Sequence, residues 1–184
     1  SAASCACAHP PAGPRYRPRA RAVPRVLLQG SRLLPSSHYT LAVEPFDDLA
    51  VLDSGDLAVV PTDIEDTYAL IDEQTTVLHE SGVFPVAMGG DHSINIPCVS
   101  AFEDDCAKNG PIHIVQFDAH LDFVDVRHGV RFGHGNPMRR AAEKPYVTGL
   151  TQLGIRNVSS TAQDGYEPAR AMGAVVRSVA TTRH

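Results

Sequence analysis

With 184 residues and 19.7 kDa, the chain is long enough to bury a hydrophobic core without disulfide or metal staples. At 43% hydrophobic and 20% charged residues it has the composition of a globular protein, and no stretch approaches the roughly 18 to 20 consecutive apolar residues that a membrane span needs. The formal charge of −5 is uneven: residues 1–43 hold six Arg and no acid, and the remainder carries a strong acidic excess, which argues against a phosphate-tracking nucleic-acid surface. Cys5, Cys7, Cys98 and Cys106 form no CxxC pair and no regular framework, and no hydrophobic signal sequence precedes the body, so a reducing, cytoplasmic location is expected.

Residues 1–45 contain seven of the 14 prolines and read as an irregular Pro/Arg-rich arm. Its Arg, Ser and Ala content superficially fits a transit peptide, but a chain that starts at Ser1 reads more readily as a fragment. From residue 46 a βα rhythm begins. A short strand is expected over 49–52, an amphipathic helix over 66–80 stopped by Gly82, and a buried strand over 83–88. A second helix is expected over 93–108, with Pro97 tolerated in its first turns, then a strand over 112–117. Helices near 137–143 and 162–172 and strands over 150–155 and 175–179 complete the series. Strands alternating with helices give an α/β fold, a mainly parallel sheet between two helical layers.

Chemistry-bearing residues concentrate at strand ends, where open α/β sheets bind ligands. Asp118-Ala119-His120-Leu121-Asp122 follows the apolar run 112–117 directly, and its carboxylates and imidazole suit Mn²⁺, Fe²⁺ or Zn²⁺ better than Ca²⁺ or a thiolate-selected ion. Four extended residues cover about 13 Å, whereas paired catalytic metals sit about 3.5 to 4 Å apart, so the chain must curl after Asp118. Gly89-Gly90-Asp91-His92-Ser93 follows the preceding strand and offers a further imidazole, provided the two loops converge on one pocket; a turn capped by Asp or Ser explains that segment alone equally well. His134 lies between Gly133 and Gly135, with Asn136 and Pro137 as N-cap and first residue of a helix. It is either a surface histidine or a proton donor at a pocket mouth.

Together these motifs resemble the ureohydrolase family, the arginase and agmatinase group of binuclear manganese enzymes, over about residues 53–160. The resemblance implies the arginase-like three-layer α-β-α fold and two Mn²⁺ ions. His92, Asp118 and Asp122 would bind one ion, Asp118 and His120 the other, and His134 would transfer a proton near the substrate. The implied reaction is hydrolysis of a small guanidino compound, with no nucleic-acid or membrane partner, and the implied assembly of the parent is a homo-oligomer, trimer or hexamer. The HGxPxRR pattern after His134 is similar to the agmatinase branch, whose product putrescine feeds polyamine synthesis. Arginases place a carboxylate-binding Asn and Ser where this chain has Val124 and Val130, neither of which can hydrogen-bond through its side chain, so agmatine is expected over arginine.

The family's later SxDxDxxDP motif, with two more metal carboxylates, is not found: Asp164 is the only Asp after Asp125. The resemblance therefore implies a fold incomplete at its C-terminus and a half-built cluster that holds metal weakly. Guanidinobutyrate and guanidinopropionate remain open as substrates, as do a non-catalytic ureohydrolase-like subunit and a zinc amide hydrolase of the related deacetylase group, the last disfavoured by GGDHS and by Asp122.

Overall fold

The computed structural model describes residues 2–8, 42, 50–60, 62–156 and 163–179. The chain divides into two compact units, Ser1–Ala101 and Phe102–His184. Each contains a three-stranded, fully parallel sheet with helices, so the α/β class expected from the βα rhythm is observed.

In the first unit β1 (Ala2–Ala8) lies between β2 (Ala50–Asp56) and β3 (Phe84–Gly89). β1 falls inside the stretch expected to be irregular. The prolines that suggested this start at Pro10, so no residue of β1 lacks the amide that a central strand needs on its ladder. Pro85 sits in β3, at the edge of this sheet, where a missing donor is tolerated. Helix α1 (Ile64–Glu80) begins at Asp63, whose side chain accepts from the amides of Glu65 and Asp66. Its buried Ile71 packs with Ile94 against Leu57 and Cys98. Thr67, fully buried, closes the entry loop by donating to the Val60 carbonyl and accepting from the Val60 amide.

The helix expected over 93–108 is instead three pieces. A 3₁₀ turn at His92–Ile94 leads into α2 (Asn95–Ser100), and α3 (Glu103–Asn109) starts afresh after Ala101 and Phe102. Glu103, Asp104 and Asp105 supply the reason: three successive acids are stabilising at a helix N-terminus and gain little in mid-helix.

In the second unit the order is β4 (Ile112–Phe117), β5 (Val147–Ile155), β6 (Val175–Ser178), with α4 (Pro137–Ala142) and α5 (Gln163–Ala171) in the crossovers. One face of this sheet is covered by Leu121, Phe123, Met138 and Ala169, which pack with Leu150 and Ile155. Alternate β4 residues, Val115 and Phe117, are exposed. His113 Nε2 lies 2.8 Å from the Thr151 hydroxyl across the β4–β5 pair, and its ring covers Gly149 so closely that a Cβ there would collide with it.

Phe123 is fully buried at the centre of this core, whereas Phe117 is 81% exposed. Phe123→Ala should lower unfolding free energy by about 3–5 kcal/mol, as expected for a buried aromatic. Phe117→Ser should change it by less than about 0.5 kcal/mol, as for exposed positions generally. Urea unfolding followed by circular dichroism measures both, and equal losses in the two variants would contradict this assignment of the core.

Candidate metal centre

β4 delivers Asp118 at its carboxyl end, and the Asp118 amide still donates to Leu153 of β5 (3.0 Å), so the residue is anchored to the sheet. The chain then curls, as the spacing required. Asp118 Oδ1 accepts the His120 amide at 2.8 Å, the Arg156 amide donates to Ala119 O at 3.0 Å, and Asp122 adopts a left-handed conformation with φ 49°. Asp is among the few residues that tolerate this region. Gly154 lets the β5 backbone approach the turn: a Cβ there would stand 3.3 Å from the Asp118 carbonyl, and φ is 85°.

The curl brings a ligand oxygen of Asp118 and one of Asp122 within 4.8 Å of each other, with Asp122 buried and Asp118 half-buried. His120 stays beside Asp118, its Nδ1 3.4 Å from Oδ1, with a side chain 55% exposed. Two carboxylates next to an imidazole form an oxygen-and-nitrogen donor set that fits a hard to borderline divalent ion such as Mn²⁺. His134 is exposed between its two glycines, and neither it nor His120 joins the cluster of ligand atoms. Among the described cysteines, Cys98 is pushed up to about 11 by burial, which leaves its thiol a poor metal ligand at neutral pH.

The other expected ligand, His92, belongs to the first unit. It opens the 3₁₀ turn after β3 and is half-buried. Asp91 fixes this turn by accepting the Ser93 amide at 2.8 Å. From α1, Tyr68 hydrogen-bonds the buried Ser93 side chain. Burial, together with the nearby Asp91 charge, pushes the Tyr68 phenol up to about 12 against the opposing effect of the Ser93 bond. An absorbance titration should therefore lose one high-pH tyrosine step in Tyr68→Phe; a missing step near pH 10 instead would show that the phenol is not held there.

The loop from Asp122 to α4 is closed by residues that spacing alone did not single out. Asn136 stands at the N-cap position with Pro137 at the first helical turn, but its side chain does not cap the helix. The Met138 amide is already taken by the Asp122 carbonyl at 3.1 Å, and Asn136 instead bridges the loop, donating to Val124 O (2.7 Å) and accepting from the Gly133 amide (2.9 Å). Arg140, 5% exposed, reaches back from α4 to Asp125 and to Glu143. Also unforeseen are Gln116 of β4 and Gln152 of β5, polar residues that are buried within their strands. A glutamine in such a strand is the one sequence signal that could have pointed to them.

The hydrogen bond from Arg140, helped by the charges of Arg140, Arg131 and Arg139, holds the Asp125 carboxyl below its usual range. A folded-state value below the unfolded one means that the stabilisation is present at neutral pH, above the unfolded value, and is lost as pH falls through the folded value. Asp125→Asn should thus reduce stability at pH 7 and flatten its fall below about pH 4, where the unfolded carboxylate titrates. Denaturation midpoints between pH 2 and 7 test this, and parallel curves for the two proteins would refute it.

No helix of the described residues is long and apolar enough to cross a membrane. Over residues 9–183 the chain matches the sequence model of the arginase family. It is 34% identical over 157 residues to the mitochondrial agmatinase of Gallus gallus and 33% identical over 163 residues to the mitochondrial guanidino acid hydrolase of Homo sapiens, alignments that take in 84% and 88% of this chain. The chain spans 45% of the length of each of these relatives. Among solved structures, proclavaminate amidino hydrolase from Streptomyces clavuligerus superposes with a TM-score of 0.82 at 25% identity, covering 98% of this chain and 60% of that one. The arginase-like fold expected from the motifs is thus present, and the chain belongs to the arginase family.

Proposed function

We propose that this chain carries the upstream half of a binuclear manganese site for hydrolysis of a guanidino compound, with agmatine, converted to putrescine and urea, as substrate. The observation that carries the reading is the pair of carboxylates at the end of β4: a ligand oxygen of Asp118 and one of Asp122 lie within 4.8 Å of each other, with His120 beside Asp118. By resemblance to the family, His92, Asp118 and Asp122 would hold one Mn²⁺, and Asp118 with His120 would hold the other. When bound, the ions supply Lewis acidity that makes water a nucleophile at neutral pH.

The protein's own groups do the rest. Asp118 and Asp122 would offset the ions' charge, and the exposed His134 would deliver a proton to the departing amine, which cannot leave as an anion. Val124 and Val130 offer no hydrogen bond to a substrate carboxylate, which favours the decarboxylated agmatine. Likeness to a guanidino acid hydrolase supports a second reading, with guanidinobutyrate or guanidinopropionate as substrate and their acid group received elsewhere. A cytoplasmic location, suggested by cysteines without a disulfide framework, and a homo-oligomeric parent belong to the same proposal.

Urea release should be followed with Mn²⁺ and each of agmatine, guanidinobutyrate and guanidinopropionate, in parallel with Mn²⁺ binding. The expected result is preference for agmatine and at least about a 100-fold loss in Asp118→Ala, since removing a ligand should cost at least as much as disturbing the groups that orient it. Preference for a guanidino acid would move the assignment to the second reading. Undiminished Mn²⁺ binding in Asp118→Ala would sink the metal site itself.

A further inference from the structure

We propose that Gln152 and Gln116 form a buried, one-directional amide relay whose task is to orient the Asp118 carboxylate for a cation; both are positioning residues. The inference rests on the metal-site reading above. Gln152, on β5, is fully buried, and Gln116, paired with it in register on β4, is 6% exposed. Buried amides are tolerated only when hydrogen-bonded, so their partners define what they do.

The direction of the relay is fixed by a group that cannot turn round. The Leu121 backbone carbonyl can only accept, and it lies 2.6 Å from Gln152 Nε2, which makes that atom the donor. The same nitrogen donates to Gln116 Oε1 at 2.5 Å. Gln116 must therefore turn its own Nε2 the other way, where it donates to Asp118 Oδ2 at 3.3 Å and shares a longer contact with His120 O at 3.4 Å. Asp118 Oδ1 is meanwhile held by the His120 amide at 2.8 Å. Each oxygen of the carboxylate thus has its own donor, one from the turn and one from the sheet, and rotation of the group is opposed on both sides.

Stability alone does not account for the arrangement. Gln152 Oε1 has no hydrogen-bond partner among the described residues, a cost that Leu or Met at this position would not carry. A fold that keeps a half-satisfied amide in its core gains, by this reading, a donor aimed at Asp118. The Leu121 carbonyl gives the relay a second hold on the segment between Asp118 and Asp122, so the pair sets the turn as well as the carboxylate.

The test is Mn²⁺ affinity of the full 184-residue chain carrying Gln116→Met and Gln152→Met together. The double replacement removes both buried amides but leaves the Leu121 carbonyl without its donor, so the unfolding midpoint should fall modestly while the chain still folds. Manganese affinity should fall by about 10- to 100-fold, the loss typical when groups that orient a ligand are removed. A double variant that folds and binds Mn²⁺ as tightly as the unsubstituted chain would overturn the relay. Should the double variant not fold, nitrogen-15 NMR of the metal-free chain decides. The Gln116 side-chain amide should be protected from exchange and should shift in Asp118→Asn, and a freely exchanging Gln116 amide overturns the proposal. Absence of Mn²⁺ binding by the unsubstituted chain would remove the metal-site reading, and the relay would then stand or fall on the NMR result.

Discussion

Two carboxylates, Asp118 and Asp122, have to be held within 4.8 Å of each other by a chain that has just left a strand. Unit charges at that separation repel by something on the order of 3 kcal/mol at an effective dielectric near 20. Local features of the second unit answer this constraint. The His120 amide and the Gln116 amide donate to Asp118, the left-handed backbone at Asp122 turns the chain back, and the Asp122 carbonyl is fastened to the first turn of α4. The adjoining Leu121 and Phe123 are driven into the core, so hydrophobic burial on both sides of Asp122 fixes where its carboxylate lies.

The hold extends outward along the loop. Asn136 ties the segment before α4 to the backbone just beyond Asp122, and Arg140 adds an ion pair to Asp125 from inside the helix. His134 rides on this braced loop yet is flanked by glycines and exposed. The contrast suits the roles proposed for these residues: carboxylates that would hold an ion are braced, whereas a group that would carry protons benefits from access to water.

Much of this was legible in the residues. The strand over 112–117 has the predicted bounds, because Ile112, Ile114, Val115 and Phe117 favour a strand between the Gly110-Pro111 turn and Asp118, and the curl after it follows from simple chain geometry. Other elements were hidden for physical reasons. β1 was masked by the proline- and arginine-rich composition around it, although its own seven residues are proline-free. β5 begins at Val147, earlier than the apolar run that suggested it, because Thr148 and Gly149 read as a turn until their pairing partners on β4 are known. The break between α2 and α3 lay in a charge triplet that periodicity ignores. Least legible were the side-chain partnerships: Gln116 and Gln152 are 36 residues apart, and spacing rules built on one helix or one strand say nothing about contacts at that range.

The stacking of His113 on Gly149 has a consequence for how this sequence can vary over time. Any side chain at 149 would strike the imidazole, so the position is closed for as long as His113 keeps its rotamer. A smaller residue at 113 would open it, at the expense of the hydrogen bond to Thr151. Substitutions at these two sites are therefore coupled: a residue larger than glycine at 149 either follows a change at 113 or has to swing the exposed imidazole away from the Thr151 hydroxyl.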